Sequence, residues 1–288
     1  MTDAPLFDPR PCRLGEGPLW HPERGQLFWF DILGKRLLTR SGEETAEWSF
    51  ERHVSAAGWT GANTLLIATE TALCHFDLTR GSSEEIAALE ADNPVTRSND
   101  GRADPWGGFW IGTMGKQAER EAGAIYRYYR GELRRVFDRI TISNAICFSP
   151  DGNWLYFADT RRRKVWRQAL RDGDGWPAES DPELFLDLTS EELNPDGAVV
   201  DSAGHIWIAQ WGASRVARYT PEGDLERSVG FPAQQISCPA FGGPDLATLF
   251  ATSASDGLSE DGTHEGRTFS ADLSADGITG QAEYRVLL

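Results

Sequence analysis

The chain is short of positive charge: 28 lysines and arginines stand against 44 aspartates and glutamates, a formal net charge of -16 over 288 residues. Such an acidic chain repels phosphate backbones and anionic headgroups, so neither a nucleic acid nor a membrane is an expected partner. No run of about 18 apolar residues, the length a bilayer-spanning helix needs, is present. The amino-terminal "MTDAPLFDPRPCRLGEG" has no basic patch followed by an apolar run, so no secretory leader is expected. Cysteine is scarce. Cys12, Cys74, Cys147 and Cys238 lie far apart without a Cys-x-x-Cys pair, which reads as reduced, mostly buried thiols in a cytoplasmic protein.

Two catalytic signatures are also missing. There is no Gly-x-Ser-x-Gly elbow of the kind an α/β-hydrolase carries. The five histidines, His21, His53, His75, His205 and His264, form no His-x-x-x-His or similar zinc spacing. His21 and His205 fall in predicted inter-strand turns, where a surface role is expected. Helical patterning is almost absent; "SSEEIAALEAD" at 82–92 is the one stretch read as a short helix.

What the chain does have is repetition. Short β-type runs recur as "LFWFD" at 27, "LLIAT" at 65, "FWIGT" at 109, "LYFAD" at 155, "IWIAQ" at 206 and "LFATS" at 249. They are 38 to 51 residues apart. Turn signals such as "HPERGQ", "DPWGG", "SPDGNW" and "DSAGH" precede several, and a second strand and another turn follow. Units of that length holding about four strands are propeller blades. The expected fold is all-β, a six-bladed β-propeller forming a single domain over residues 1–288. "APLFDPRPC" and "AEYRVLL" are both strand-like and are candidates to share the closing blade.

Polar residues recur in register with these runs. Glu16, Asn99, Asn144 and Asp196 each lie 10 or 11 residues before a marker run. The matching positions in the other two units fall near Val54 and Ser55, and near Cys238. Singly, each has an ordinary reading: Asn99-Asp100-Gly101 and Asn194-Pro195-Asp196-Gly197 as turns, Glu16 as a loop acid, Asn144 as a strand-starting cap. In common register they point to a shared axial site, because the first strand of every blade lines the central channel. Two carboxylates and two amide oxygens meeting there need a compensating charge, and they suit a hard divalent cation. Arg97, two residues before Asn99, faces the same side of an extended strand. It would donate to substrate hydroxyls or to a developing oxyanion, or else form a surface ion pair.

"LGEGPLW", "RSNDGRADPWGGFWIGTMG", "ISNAICFSPDGNWLYFADT", "NPDGAVVDSAGHIWIA" and "CPAFGG" together resemble the regucalcin (senescence marker protein 30) and gluconolactonase family over essentially the whole chain. The resemblance implies a six-bladed propeller that hydrolyses sugar lactones with one divalent metal: calcium, zinc, manganese, magnesium or iron. It implies metal ligands at Glu16, Asn144 and Asp196, with Asp196 also the base. Substrate contacts would fall on Arg97 and Asn99. After "GTM" the animal members carry an acidic residue thought to touch substrate, whereas this chain reads Gly115, Lys116, Gln117. Gln117 is therefore a candidate substrate contact, with Lys116 as its alternative. The expected reaction is opening of an aldonolactone to the aldonic acid by metal-activated carbonyl and water, with Asp196 as general base. The competing readings are a non-catalytic calcium-binding propeller and a related metal-dependent esterase or organophosphatase. A small sugar lactone is the expected partner, and a monomer or weak homo-oligomer the expected state.

Overall fold

The six marker runs form strands because each is a short β-branched and aromatic stretch bounded by turn residues. They become Gln26–Asp31, Thr64–Thr69, Phe109–Gly115, Trp154–Asp159, Ile206–Trp211 and Thr248–Ser253. The computed structural model describes residues 5–258 and 264–288. Among these, strands assemble into six four-stranded antiparallel sheets. The innermost strands, blade 1 to blade 6, are Gly15–His21, Val54–Gly61, Thr96–Ala103, Ser143–Phe148, Asn194–Val200 and Ile236–Gly242. Each packs against the next in chain order, and the last meets the first, closing a six-bladed β-propeller.

Ring closure departs from expectation in one half. The outer strand of blade 6 is Leu6–Asp8, from the amino-terminal segment, paired with Thr268–Asp272. The carboxyl-terminal "AEYRVLL" joins no sheet. It crosses the end of the channel where the inner strands finish, bonding to blades 2 and 3, while Gln281 just before it reaches blades 4 and 5. The Trp59 indole donates to the Glu283 carbonyl at 2.8 Å, and the Val286 N–H donates back to the Trp59 carbonyl at 2.9 Å. Gln281 Nε2 reaches the Val200 carbonyl at 3.1 Å and the Phe148 carbonyl at 3.4 Å. Glu283 forms a buried ion pair with Arg102.

The predicted helix is also corrected. Ser82–Ala88 is the outer strand of blade 2, paired with Ala72–Asp77. A helix of about eleven residues is marginal by itself, whereas the open sheet edge offers a full row of backbone partners. Ser82 to Glu85 stay exposed, which charges the rim, while Ile86 and Ala87 pack inward between blades 2 and 3.

The core lies between blades. Trp29, Trp110 and Trp207 are fully buried, each stabilising the fold by roughly 3 kcal/mol through apolar area removed from water. Two of them are held by a repeated clasp. Asp104 accepts from Trp110 Nε1 at 2.8 Å and Arg127 Nε at 2.7 Å, and Asp201 accepts from Trp207 Nε1 at 3.0 Å and Arg218 Nε at 2.9 Å. The turn acid six residues before the tryptophan thus ties three strands together. No helix among the described residues is long and apolar enough to cross a membrane.

Candidate active site

Every inner strand slips register against its marker strand near its start, and that of blade 2 slips again between Trp59 and Gly61. The slips lie between Glu16 and Leu19, Val54 and Ala56, Ser98 and Gly101, Asn144 and Cys147, Pro195 and Ala198, and Ile236 and Pro239. These are β-bulges, which bend a strand and re-aim its side chains. All six positions singled out by spacing sit at or inside them. Asn99-Asp100-Gly101 and Asn194-Pro195-Asp196-Gly197 are therefore kinks within strands, and the turn that each motif suggests when taken singly does not form. Crowding at the hub requires glycine at two of these kinks. Gly17 has φ +53 and a Cβ there would lie 2.4 Å from the Ser55 carbonyl oxygen; a Cβ on Gly197 would lie 2.3 Å from Cys238 Sγ.

The bulges gather charge away from water. Glu16 and Asp196 are each 4% exposed, Asp100 5% and Arg97 6%. Burial, together with the neighbouring Asp100, pushes the Glu16 carboxyl up to about 8, although the Gly17 N–H and Arg97 oppose the shift. Burial beside Glu16 and Asp100 raises Asp196 well above the usual carboxylate range. Asp100 itself rises to about 6 through burial, while the Ile146 N–H, 2.7 Å from its Oδ2, holds it down in part. Burial lowers Arg97 to about 10, against the pull of Glu16, Glu70 and Asp196.

A directional relay sets the amides. A guanidinium can only donate, so Asn99 must present its oxygen to Arg97, at 2.8 Å. The Asn99 amide then donates to the Ser143 carbonyl at 2.9 Å and to Asn144 Oδ1 at 3.0 Å. Asn144 Nδ2 in turn donates to Thr160 Oγ1 at 2.8 Å, and that hydroxyl donates to the Pro195 carbonyl at 2.7 Å. One lone pair of Asn144 Oδ1 remains for the channel. The relay links blades 3, 4 and 5 and ends next to Asp196.

This donor set suits a hard cation. Two carboxylates share a buried space with little positive charge, and among the described residues no side chain donates a hydrogen bond to Asp196. A divalent ion would displace the protons those acids otherwise retain. Among the described residues no three His, Cys, Asp or Glu side chains cluster with metal-holding geometry; the candidate ligands are two acids and one amide, Glu16, Asp196 and Asn144.

Gln117 lies in the turn after Phe109–Gly115, exposed, with its backbone N–H 3.0 Å from Glu119 Oε2. Its side chain joins no hydrogen bond to Arg97 or Asn99 among the described residues. Lys116 pairs with Glu70, and Glu70 with His53. Sequence reasoning missed Asp100, Thr160, Ser143 and Glu70. For Asp100 the signal was available, since it shares the bulge with Asn99; Ser143 acts through contacts with blade 3, and Thr160 joins Asn144 to blade 5. His21 was expected at the surface but is buried, its Nε2 3.1 Å from the Gly61 carbonyl, because it ends the inner strand rather than opening the turn. A surface groove of about 800 Å³ between the outer strands of blades 5 and 6, lined by Arg215, Val229 and Leu273, holds none of these residues.

Comparison with known proteins agrees with this architecture. The profile of the SMP-30/Gluconolactonase/LRE-like region matches residues 14–255. An L-arabinolactonase from Azospirillum brasilense is 37% identical over 256 residues, covering 86% of this chain and 83% of its own. Pentonolactonase XacC from Haloferax volcanii is 34% identical over 284 residues, covering 95% and 94%. Among solved structures, a calcium-binding protein, regucalcin, from Agrobacterium tumefaciens superposes with a TM-score of 0.95 at 37% identity, covering 99% of this chain and 97% of that one. With its bulged inner strands and buried acids at the hub, the chain belongs to the SMP-30/gluconolactonase family.

Proposed function

We propose that this protein is a hydrolase that opens a sugar lactone to its aldonic acid, using one divalent cation held by Glu16, Asn144 and Asp196. The observation that supports the reading is the burial of two carboxylates, with Glu16 near enough to raise Asp196, together with an amide oxygen that the relay orients. Relatives named as lactonases for arabinose-derived and other pentonic lactones support the substrate class. When bound, the cation would polarise the lactone carbonyl and acidify a water molecule.

The chain's own groups do the rest. Asp196, as a carboxylate, accepts the proton of the attacking water; with no side chain donating to it among the described residues, the oxygen it would not lend to the cation is available for this. Arg97 stays cationic at neutral pH and, through the donors not spent on Ser98 and Asn99, faces the carbonyl side or the ring hydroxyls. Asn99 holds Asn144 and offers its remaining oxygen lone pair. Gln117, at the channel mouth, is a further candidate contact. A lactone is already an activated ester, so no covalent nucleophile is needed. The test is acid release from an aldonolactone panel with and without chelator, alongside Asp196→Asn. Turnover that needs added cation and falls by about 10²-fold or more in Asp196→Asn is the expected result; chelator-insensitive turnover, or an active Asp196→Asn, would remove this mechanism.

A further inference from the structure

Between blades 2 and 3, at the end where their inner strands begin, three side chains form a network that the proposed reaction leaves unused. Glu70 follows the marker strand of blade 2, His53 precedes its inner strand, and Lys116 follows the marker strand of blade 3. Glu70 Oε2 lies 2.7 Å from His53 Nδ1, and Oε1 pairs with Lys116 Nζ. The partners are themselves held. The Glu70 N–H bonds the His53 carbonyl at 2.8 Å, the Lys116 N–H bonds the Val95 carbonyl at 2.9 Å, and Lys116 Nζ also donates to the Pro94 carbonyl at 2.9 Å.

Partly exposed ion pairs of this kind stabilise a fold by no more than about 1 kcal/mol, so stapling two blades is a weak reason for the arrangement. Its geometry serves recognition better. A carboxylate has about four acceptor positions, and His53 and Lys116 use one on each oxygen. The remaining positions belong to a side chain that is 18% exposed, held on both oxygens, and close enough to Arg97 for their charges to act on each other. A fixed carboxylate accepts strong hydrogen bonds from hydroxyls without paying to order itself.

We propose that Glu70 is a specificity-determining residue, a preset acceptor for a hydroxyl of a polyhydroxylated lactone entering over Arg97, with His53 and Lys116 as its positioning residues. This rests on the lactonase reading and names the substrate class: lactones bearing hydroxyls on the part directed toward blades 2 and 3.

The experiment compares glucono-1,5-lactone with δ-valerolactone, which has no hydroxyls, on the cation-loaded full-length enzyme. The ratio of the two kcat/KM values within one preparation is independent of how much protein is folded. Glu70→Gln is expected to lower kcat/KM for the hydroxylated lactone about tenfold, mainly through KM, and to leave δ-valerolactone within about twofold. Lys116→Met, which keeps the carboxylate but frees it on one side, should shift the ratio the same way by about threefold and carries the test should Glu70→Gln not fold. Equal losses on both lactones, or no loss on either, would overturn the assignment. Wild-type protein that opens neither lactone would instead remove the lactonase reading, and this assignment with it.

Discussion

Replacing Glu16 with glutamine should stabilise the cation-free protein at alkaline pH and destabilise the loaded one relative to wild type. The cause is proton linkage. Burial and Asp100 raise the folded-state value of Glu16 from 4.5 to about 8, so the folded state holds the proton more tightly than the unfolded chain. Stability is then greatest below pH 4.5 and is lost as pH climbs through the interval up to about 8. At 1.36 kcal/mol per tenfold change in proton affinity, the full loss approaches about 5 kcal/mol. Glutamine has no proton to lose, and its neutrality also relieves Asp196, whose shift includes the Glu16 charge. The burial cost of the amide offsets part of this, leaving about 2–4 kcal/mol at pH 9, or roughly 5–10 °C in melting temperature for a chain of this size.

The assay is thermal denaturation of wild type and Glu16→Gln in chelator at pH 5, 7 and 9, repeated with saturating divalent cation. In chelator the variant should be nearly equal to wild type at pH 5 and more stable at pH 9. With cation the order should reverse, because ligand binding stabilises only a folded state able to hold it. A variant less stable than wild type by the same amount at every pH, with or without cation, would mean that Glu16 sits in no cluster of like charge, and the metal centre would lose its electrostatic basis.

Two further outcomes test the neighbouring structure. Asn99→Ala removes the acceptor for Arg97 and the group that orients Asn144; it should weaken cation binding about 10–100-fold in titration calorimetry and destabilise the fold by about 1–3 kcal/mol. Glu283→Gln leaves Arg102 buried without its counter-charge at the far end of the channel and should cost about 3–5 kcal/mol in urea denaturation; an unchanged midpoint would show that the carboxyl-terminal segment does not plug the channel.

Much of the fold was legible because its signals are local. A strand, its turn and its partner lie within one blade, so alternation and turn residues repeat at each marker run, and the count of six follows. The candidate site was legible for the same reason: Glu16, Asn99, Asn144 and Asp196 keep a constant offset from their marker strands, and that offset proved to be a bulge common to all six blades. Taken singly, these motifs carry a turn signal, because glycine, asparagine and proline serve bulges and turns alike; only their common register separates the two. The composition of 82–92 favours a helix, and a sheet edge waiting for a partner overrides that preference over Ser82–Ala88.

What the sequence alone determined was the repeating unit, the number of blades and the ring of oxygen-bearing residues, since each depends on spacings of a few tens of residues at most. Tertiary structure decided how those residues act on one another. The raised acids, the Arg97–Asn99–Asn144–Thr160 relay and the Glu70 network arise between blades, where burial and packing set charge and orientation. The carboxyl-terminal plug is the extreme case: the bond from Trp59 to Glu283 joins residues 224 apart, a contact that exists only after the ring has closed.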